Sequence, residues 1–215
     1  MKILIIDDHE VVRRGLRQIL SDAFPQAVFG EAATSQEALD KAAKDRWDIL
    51  LLDINIPGRN GLEVLEEVHK SQPKTAVLVL SAFPEQDFAV RALKLGAAGY
   101  LTKQSASDEL HAAVRKALEG GKYVTASLAE KLAARLGQDL QQTAPHEALS
   151  NRELQILRMI ASGQTIKEIA AELSLSEKTI ATYRARIAEK LNLSTNVEFT
   201  RYALKHNLVQ LQEDS

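Results

Sequence analysis

Short apolar runs alternate with amphipathic stretches along the first 119 residues. Each apolar run is bounded by polar or turn residues, which is typical of a buried strand. The five runs are Ile3–Ile6, Ala27–Phe29, Ile49–Leu52, Ala76–Leu80 and Gly99–Leu101. Between the runs, apolar residues recur at helical spacing, as in the stripe Val11, Val12, Leu16, Ile19 and Leu20. This alternation predicts an α/β fold whose five strands form a doubly wound parallel sheet covered by helices.

The pattern changes after the fifth predicted helix. Gly120 and Gly121 end that helix, because glycine tolerates the left-handed conformation that often follows a helix C-terminus. Leu128–Leu140 has amphipathic spacing and predicts a further helix, whereas Gln141–Pro145 is polar and breaks regular structure. Residues 120–148 are therefore interpreted as a linker that contains a helix and joins two domains.

Residues 149–215 show no strand pattern and several helix starts. Three capping boxes, each a Ser or Thr followed three residues later by Glu, mark three of these starts. They are Ser150 with Glu153, Thr165 with Glu168, and Thr195 with Glu198. Ser176 marks a fourth start, so we predict an all-α domain of four short helices.

Composition narrows the class of protein. The chain has 215 residues, 45% of them hydrophobic, and no cysteine, which excludes disulfide scaffolds, thiol catalysis and cysteine-ligated metals. No apolar run approaches the roughly 18–20 residues of a membrane span, and the N-terminus does not resemble a signal peptide. We expect a soluble, cytoplasmic protein without a membrane partner. The formal net charge of −2 argues, at first sight, against a nucleic-acid partner.

Three carboxylates follow predicted strands of the first domain. Asp7 and Asp8 come directly after the first strand, and Asp53 comes after the third. The common strand order 2-1-3-4-5 makes these strands neighbours, so the three side chains should converge in one crevice. Clustered carboxylates repel one another unless a cation is present, and all-oxygen ligands favour Mg²⁺. A magnesium ion beside a carboxylate suits phosphoryl transfer.

Further polar residues end the remaining strands. Ser81 ends the fourth strand and Lys103 lies just beyond the fifth, where both could hydrogen-bond a phosphoryl group on Asp53. Tyr100, three residues before Lys103, could move between buried and exposed positions as Ser81 moves. Taken singly, each residue has a plainer interpretation, since an Asp after a strand is usually a helix N-cap and a lone Tyr is usually core. Their combination at one edge of one sheet favours the functional interpretation.

These motifs resemble those of a two-component receiver domain. The resemblance covers essentially residues 1–119 and is carried by the segments 3–9, 51–58 with Gly61, 80–82 and 96–103. One position departs from the pattern, because many receivers have a cis proline directly after the lysine, and this chain has Gln104 there.

The resemblance implies a role for each residue of the cluster. Asp53 would accept phosphate from a histidine of a sensor kinase and form an acyl phosphate. Asp8, Asp53 and the backbone carbonyl of Asn55 would hold Mg²⁺, with Asp7 close by through water. Ser81 and Tyr100 would form the switch pair, and Lys103 would contact the phosphoryl group.

Thr165 to Leu191 has the pattern of two helices joined by a short turn. Ile166, Ile169, Ala170 and Leu173 form one apolar face, and Ile180, Ile187 and Leu191 form the other. This predicts a helix-turn-helix whose second helix enters the DNA major groove. The competing interpretation is a solvated, charged face on an ordinary bundle helix.

The second helix presents a polar face opposite its apolar one. Thr182 and Arg186 are predicted to contact bases, with Ala181 and Ala185 available against thymine methyl groups. Phosphate contacts are predicted for a further set of residues: Lys178, Thr179, Tyr183 and Arg184.

Residues 149–208 resemble the LuxR-type helix-turn-helix. Its motifs are Leu149–Leu154, Ala161–Gly163, Lys167–Ala170, Leu175–Ile180 and Lys190-Leu191. A receiver followed by this module is similar to the NarL/FixJ family of response regulators. Many members have Lys at the place of Ala181 and His at that of Tyr183, so the recognition helix resembles instead the subset related to BvgA and EvgA. The last helix, about Asn196 to His206, would by family analogy supply a dimer contact.

The leading hypothesis is therefore a transcription regulator controlled by Mg²⁺-dependent phosphorylation of Asp53. Its expected partners are a sensor histidine kinase, double-stranded DNA and a second copy of the chain after phosphorylation, with RNA polymerase as a possible further partner. One alternative is a phosphohydrolase that uses Asp53 as nucleophile, but Asn55 replaces the second Asp that such enzymes need. Another alternative is a DNA-binding scaffold with a relic receiver.

The charge divides unevenly between the predicted segments. Residues 1–119 carry a net −3, residues 120–147 carry zero and residues 148–215 carry +1. The near-zero total thus conceals an acidic receiver joined to a weakly basic DNA reader. We therefore predict modest affinity of a single chain for DNA, with dimerisation needed for tight binding.

Overall fold

The computed structural model describes residues 1–82, 85–136, 144–206 and 208–209. Contacts between Cα atoms divide the chain into two units, Met1–Gln138 and Asp139–Ser215. The strands of the first unit are β1 (Lys2–Ile6), β2 (Val28–Ala32), β3 (Ile49–Asp53), β4 (Ala76–Ser81) and β5 (Gly99–Thr102). Its helices are α1 (Glu10–Ala23), α2 (Ser35–Lys44), α3 (Gly61–Ser71), α4 (Glu85–Lys94), α5 (Ala106–Leu118) and α6 (Ala126–Leu136). The second unit contains a 3₁₀ helix (Pro145–Ala148), α7 (Asn151–Ala161), α8 (Ile166–Glu172), α9 (Glu177–Leu191) and α10 (Asn196–Lys205).

The five strands form one parallel sheet in the order β2-β1-β3-β4-β5, as the sequence predicts. Every residue of β3 is buried, which explains its uninterrupted apolar run. Because side chains alternate along a strand, Ile3 and Ile5 of β1 pack in one core with residues of α1 and α5. The helices α2, α3 and α4 contact β2, β3 and β5, respectively.

The second strand lies farther along the chain than the apolar pattern predicts. β2 runs to Ala32, so it includes Gly30 and Glu31, which the sequence interpretation left outside a strand. These residues pair with Leu4 and Ile5 of β1 through their backbones, and strand pairing does not require an apolar side chain. At Gly30 the side-chain space is filled by the indole ring of Trp47, so this position needs glycine.

The helical stripe of α1 is narrower than predicted. Leu16 and Leu20 are buried, and Val12 and Ile19 are partly buried, but the side of α1 that bears Val11 faces solvent, and this residue is 82% exposed. The wide apolar stripe therefore includes one residue that contributes nothing to the core.

The chain after α5 packs back onto the first unit. α5 ends at Leu118, and Gly120 has a φ of 81°, the left-handed conformation expected there. Tyr123 then forms a parallel bridge with Gly99 of β5, and α6 packs against α4 with Leu128 fully buried. The predicted linker helix thus belongs to the first unit as far as Leu136. The remainder of the predicted Leu128–Leu140 helix, and residues 141–143, lie outside the described residues.

The described residues of the second unit form four α-helices, as predicted, and a 3₁₀ helix precedes them. All three predicted capping boxes are present, at Ser150, Thr165 and Thr195. The hydroxyl of Ser176 accepts a hydrogen bond from the amide of Thr179 and thereby caps α9. Two details differ from the sequence interpretation: Pro145 opens the 3₁₀ helix rather than a loop, and Ile166 is only partly buried.

The turn between α8 and α9 holds the two helices of the predicted helix-turn-helix together. Its residue Ser174 has a φ of 52°, and the amide of Leu175 donates to the carbonyl of Ala170. Beneath it, the side chains of Ile169, Leu173 and Ile180 are fully or almost fully buried. None of the described helices in either unit combines the length and apolar character that a membrane span requires.

Candidate functional site

The sheet topology brings the first aspartate and the third-strand aspartate together. β1 pairs with β3 so that Ile6 lies opposite Leu52, and Asp7 and Asp53 each follow directly. Both carboxylates are almost completely buried, at 1% and 2% exposure. They lie at the carboxyl edge of the strands, where open α/β sheets bind ligands.

Lys103 joins these two carboxylates. Its Nζ lies 2.8 Å from Asp53 Oδ2 and 2.7 Å from Asp7 Oδ2. Burial alone would lower the pKa of Lys103, but the charges and hydrogen bonds of Asp53 and Asp7 outweigh it, and the pKa is raised. The ammonium group therefore stays charged and offsets part of the negative charge in the pocket.

Asp53 has an unusual environment for a carboxylate. Burial raises its pKa, the positive charge of Lys103 opposes that shift, and the negative charge of Asp7 adds to it. Asp53 Oδ1 accepts a hydrogen bond from the amide of Asn55 at 3.1 Å, while Oδ2 faces Lys103. The carboxylate is thus held in a fixed orientation at the edge of the sheet.

Asp8 lies beside Asp7 and His9, and the sequence interpretation assigned no role to His9. Asp7, Asp8 and His9 each offer a ligand atom, and these atoms lie within 4.8 Å of one another. His9 Nδ1 lies 2.7 Å from Asp8 Oδ1 and 3.3 Å from Asp7 Oδ1. The signal that would have pointed to His9 is its place directly after the two aspartates, at the N-cap of α1.

The acidic group suits a hard cation. Asp7 Oδ2 and Asp8 Oδ1 are buried carboxylate oxygens, and Lys103 Nζ and His9 Nδ1 lie 2.7 Å from them, respectively. A carboxylate oxygen has two lone pairs, so each of these atoms can also bind a cation. Buried carboxylate oxygens with spare lone pairs are the donors that Mg²⁺ prefers. The residues therefore fit a divalent cation at this edge of the sheet.

The other predicted pocket residues occupy neighbouring strand ends. Ser81 is fully buried at the end of β4, and its carbonyl accepts a hydrogen bond of 2.8 Å from the amide of Lys103. Tyr100 of β5 is also fully buried, so the structure shows it in an inward position. Asn55 lies in the loop after β3 and is partly buried. The structure thus places all the residues predicted for the pocket at one sheet edge, with Tyr100 beneath it.

The start of α3 packs tightly against the chain that carries Asp53. Gly61, the first residue of α3, donates its amide to the carbonyl of Ile54 at 3.0 Å. A Cβ at this position would lie 2.8 Å from the Cα of Ile54 and closer still to the carbonyl of Asp53. Asn60 caps the helix through its side-chain oxygen. This close approach fixes the position of Asp53 and requires glycine at residue 61.

The second helix of the helix-turn-helix presents the polar face that the sequence predicts. Five of the predicted DNA contacts on α9 line a concave surface together with Ser176: Lys178, Thr179, Thr182, Tyr183 and Arg186. The guanidinium carbon of Arg186 lies 5.9 Å from the centre of the Tyr183 ring. Ala181 and Ala185 are exposed on the same helix. The face therefore combines positive charge, hydroxyl groups and small apolar side chains.

Two cationic side chains of α9 bind partners within the second unit. Arg184 donates hydrogen bonds to Asn196 Oδ1 at 3.0 and 3.1 Å and to the carbonyl of Ser194 at 3.3 Å, and it lies over the Phe199 ring. Lys190 forms an ion pair of 2.7 Å with the almost fully buried Glu153. α9 carries four cationic side chains, and the two that line the concave surface are Lys178 and Arg186.

Comparison with known families assigns both units. Residues 3–115 match the response regulator receiver domain, and residues 147–203 match the luxR family of bacterial regulatory proteins. The chain belongs to the NarL/FixJ family of response regulators. A receiver and a LuxR-type DNA-binding domain together make this response regulator a DNA-binding member of a two-component system.

Curated relatives match the response regulator over nearly its whole length. It is 37% identical to the response regulator GacA of Pseudomonas aeruginosa over 97% of this chain and 98% of that protein. It is 36% identical to the response regulator UvrY of Escherichia coli, over 97% of this chain and 95% of that protein.

One solved structure matches nearly the whole chain, and another matches about two thirds of it. RcsB from Salmonella enterica serovar Typhimurium, bound to promoter rprA in the presence of phosphomimetic BeF₃⁻, is 26% identical, with a TM-score of 0.63. That match covers 94% of this chain and 97% of RcsB. A LuxR-family two-component response regulator from Aurantimonas sp. is 29% identical, with a TM-score of 0.58, and covers 64% of this chain and 98% of its own.

Proposed function

We propose that Asp53 is the phosphoacceptor of this response regulator and that its phosphorylation controls binding of α9 to promoter DNA. The observation that carries the proposal is the pocket of Asp53. Its carboxylate is buried at the switch point of the sheet and held by Lys103, beside a second buried carboxylate, Asp7. Such an arrangement orients one oxygen for attack and keeps a cation beside it.

The reaction follows from the orientation of this carboxylate. Asp53 attacks the phosphorus of a phosphohistidine on a sensor kinase, so that a P–O bond forms, the P–N bond breaks and the imidazole leaves with the electron pair of that bond. The acyl phosphate then carries the charge that Lys103 is placed to neutralise. Because Lys103 already contacts Asp53, it moves only from a carboxylate oxygen to a phosphoryl oxygen.

Mg²⁺ is the cofactor that the acidic group would hold. The proposed ligands are the carboxylates of Asp8 and Asp53 and the backbone carbonyl of Asn55, with Asp7 close by through water. A bound Mg²⁺ supplies charge neutralisation and orientation for the phosphoryl group. Asp7 and Asp8 contribute the buried oxygens that suit this ion.

Ser81 and Tyr100 form the proposed switch pair. Ser81 ends the strand next to Lys103, so its hydroxyl is placed to hydrogen-bond a phosphoryl oxygen on Asp53. Tyr100, which is fully buried on the adjacent strand, would move between buried and exposed positions as Ser81 moves.

The concave face of α9 is the proposed DNA interface. Thr182 and Arg186 would contact base edges, and Ala181 and Ala185 would pack against thymine methyl groups. Lys178, Thr179 and Tyr183 would contact phosphates. Arg184 is also proposed as a phosphate contact, in addition to its hydrogen bonds with Asn196 and Ser194.

The proposed assembly is a homodimer that forms on phosphorylation and binds paired half-sites. In support, RcsB was solved on a promoter with a phosphomimetic, and α10 of this chain leaves Val197 67% exposed. RNA polymerase is a further proposed partner. Because its DNA partner is there, the cytoplasm is the proposed location.

The proposed domain boundaries are 1–119 for the receiver, 120–148 for the linker with its helix, and 149–215 for the DNA-binding domain. The family matches, 3–115 and 147–203, support the outer two. Packing of α6 on α4 groups much of the linker with the receiver. The only chemistry proposed for the chain is phosphorylation and dephosphorylation of its own Asp53.

The test uses phosphorylation with acetyl phosphate and Mg²⁺, followed by separation of phosphorylated protein on a phosphate-affinity gel. The Asp53→Asn variant should remain unmodified, while Asp22→Asn, an exposed aspartate on α1, should be modified like the wild type. Genome-wide mapping of binding sites with both variants in cells then tests control of DNA binding. Full signal-dependent occupancy by Asp53→Asn would contradict the proposal. Steady turnover of small phosphoesters would instead support the phosphohydrolase alternative.

A further inference from the structure

The segment that follows α5 is fastened to the free edge of the sheet. Lys122 Nζ donates to the carbonyls of Ala97 and Gly96, at 2.5 and 3.1 Å. The amide of Tyr123 donates to the carbonyl of Ala98 at 2.7 Å. The three carbonyl acceptors belong to residues 96–98, the loop that leads into β5, and the donors belong to Lys122 and Tyr123. Residues 121–128 are called the strap below.

The strap also reaches α5 and leads directly into α6. The hydroxyl of Tyr123 donates to Glu109 of α5 at 3.1 Å. The hydroxyl of Thr125 accepts a hydrogen bond from the amide of Leu128, which is fully buried where α6 packs on α4. The strap thus connects the loop before β5 and helix α5 to the linker helix.

The strap packs so closely against β5 that Gly99 has no space for a side chain. A Cβ on Gly99 would lie 2.8 Å from the carbonyl oxygen of Tyr123 and 2.9 Å from a methyl group of Leu78. Burial lowers the pKa of Lys122, and its ammonium group donates to the carbonyl oxygens of Gly96 and Ala97. A small shift of β5 therefore has to break contacts of the strap, because the two surfaces already touch.

β5 connects this strap to the phosphorylation pocket. The strand has only four residues, with Gly99 held by the strap at one end and Thr102 leading into Lys103 at the other. The amide of Lys103 is bonded to Ser81, and its ammonium group contacts Asp53 and Asp7. A phosphoryl group on Asp53 would bind both the Lys103 ammonium group and the Ser81 hydroxyl, and so would act on the two residues whose backbone hydrogen bond holds this end of β5.

We infer that the strap couples the Asp53 pocket to the linker helix: phosphorylation shifts β5, loosens Lys122 and Tyr123 from residues 96–99, and frees α6 from α4. This inference rests on the proposed function, since it takes Asp53 as the phosphoacceptor. It adds the route by which the receiver controls the chain beyond residue 136, through contacts of two residues that lie outside the pocket.

Hydrogen–deuterium exchange of the full chain tests the coupling, with BeF₃⁻ and Mg²⁺ as the probe and ¹⁹F resonances of bound fluoroberyllate as the measure of binding. In the wild type, BeF₃⁻ should accelerate exchange of peptides from 121–136 by about tenfold, because local opening sets the exchange rate. The variant Lys122→Met should show much of this acceleration without BeF₃⁻, whereas Tyr123→Phe, which removes only the hydroxyl bonded to Glu109, should show a smaller part of it. The control Lys70→Met, in an exposed ion pair on α3, should behave like the wild type.

The outcomes separate the strap from the proposed function. Bound fluoroberyllate with unchanged or slower exchange of 121–136 would overturn the strap and leave Asp53 as the phosphoacceptor. Absence of a bound ¹⁹F resonance, together with absence of labelling by acetyl phosphate, would overturn both. Should Lys122→Met fail to fold, Tyr123→Phe, which removes one hydroxyl, still decides whether the contact with Glu109 contributes.

Discussion

Gly15 and Gly61 both lie in helices of the receiver, but their surroundings differ. At Gly61 a side chain would collide with the backbone of Asp53 and Ile54, whereas at Gly15 no atom lies within 4 Å of an added Cβ. Neither glycine has the positive φ that would itself require glycine. The two positions therefore differ in packing: α3 lies directly against the backbone of Asp53 at Gly61, and nothing packs against Gly15.

Gly61→Ala should destabilise the receiver by about 1–3 kcal/mol, because the added carbon forces the backbone of Asp53 to move. The same variant should also be phosphorylated more slowly by acetyl phosphate. Gly15→Ala should stabilise the chain by about 0.5–1 kcal/mol, because alanine is the better helix former in open space. Urea unfolding and phosphate-affinity gels measure both effects, and equal behaviour of the two variants would contradict this account of Gly61.

Glu153 provides a prediction for pH dependence. Burial alone would raise its pKa, but hydrogen bonds from Lys190 and Ser150 and the charge of Lys190 outweigh burial and lower it. A lowered pKa in the folded chain means that the ionised form stabilises folding at pH values above the unfolded pKa of about 4.5. This contribution is lost as the pH falls through the lowered pKa.

We expect Glu153→Gln to reduce the stability of the second unit by about 1 kcal/mol at pH 7, because the neutral amide cannot form the ion pair with Lys190. The difference from the wild type should shrink as the pH falls below 4.5. Thermal unfolding at several pH values measures this trend, with Glu147→Gln, an exposed glutamate of the same unit, as the control. A difference that stays constant down to pH 3 would show that the charge of Glu153 is not responsible.

At the scale of one element, α9 carries arginines with different contacts. Arg186 lies on the concave face beside Tyr183, while Arg184 is bonded to Asn196 and Ser194 at the start of α10. The two residues are two positions apart and therefore lie on different sides of α9, although the sequence interpretation predicted DNA contacts for both. Their contacts therefore distinguish Arg186, which we propose contacts DNA, from Arg184, which joins α9 to the start of α10.

Arg186→Ala should weaken binding to a DNA site found by the genome-wide mapping by about 1–3 kcal/mol, and it should leave the unfolding temperature of the second unit unchanged. Arg184→Ala should lower that unfolding temperature, because it removes three hydrogen bonds between α9 and the start of α10. Fluorescence anisotropy with DNA and calorimetry compare the pair. Loss of DNA affinity by Arg184→Ala at full stability would instead identify Arg184 as a phosphate contact.

Most elements were predictable from sequence because their patterns are local. The apolar run of β3 and the capping boxes at Ser150, Thr165 and Thr195 each depend on residues within one segment. What could not be predicted depends on residues far apart in the chain. Gly30 lies in β2 at a place where the indole ring of Trp47 leaves no space for a side chain. Lys190 of α9 forms an ion pair with Glu153 of α7. Strand order predicts which residues form the pocket. It does not predict that Lys103 lies between Asp7 and Asp53 and contacts both.

For the whole molecule, charge determines how tightly one chain can hold DNA. The segment 148–215 has a net charge of only +1, and two of its cations on α9 are engaged within the unit. Each phosphate neutralised adds about −0.9 to the slope of log affinity against log salt. A single chain, with Lys178 and Arg186 as the cations of its concave face, can therefore neutralise few phosphates.

We expect a slope of about −2 to −4 for the unphosphorylated chain and about twice that for the chain with BeF₃⁻ and Mg²⁺, because a dimer brings two copies of α9 to the DNA. Anisotropy titrations at several salt concentrations measure the slope, and analytical ultracentrifugation gives the oligomeric state under the same conditions. Lys178→Ala should reduce the slope by about 1 for each chain bound. The control Lys70→Met should leave it unchanged, since Lys70 lies on α3 of the receiver. A slope and affinity that are the same with and without BeF₃⁻ would show that a single chain binds as well as a pair, and dimerisation would then have no part in controlling this response regulator.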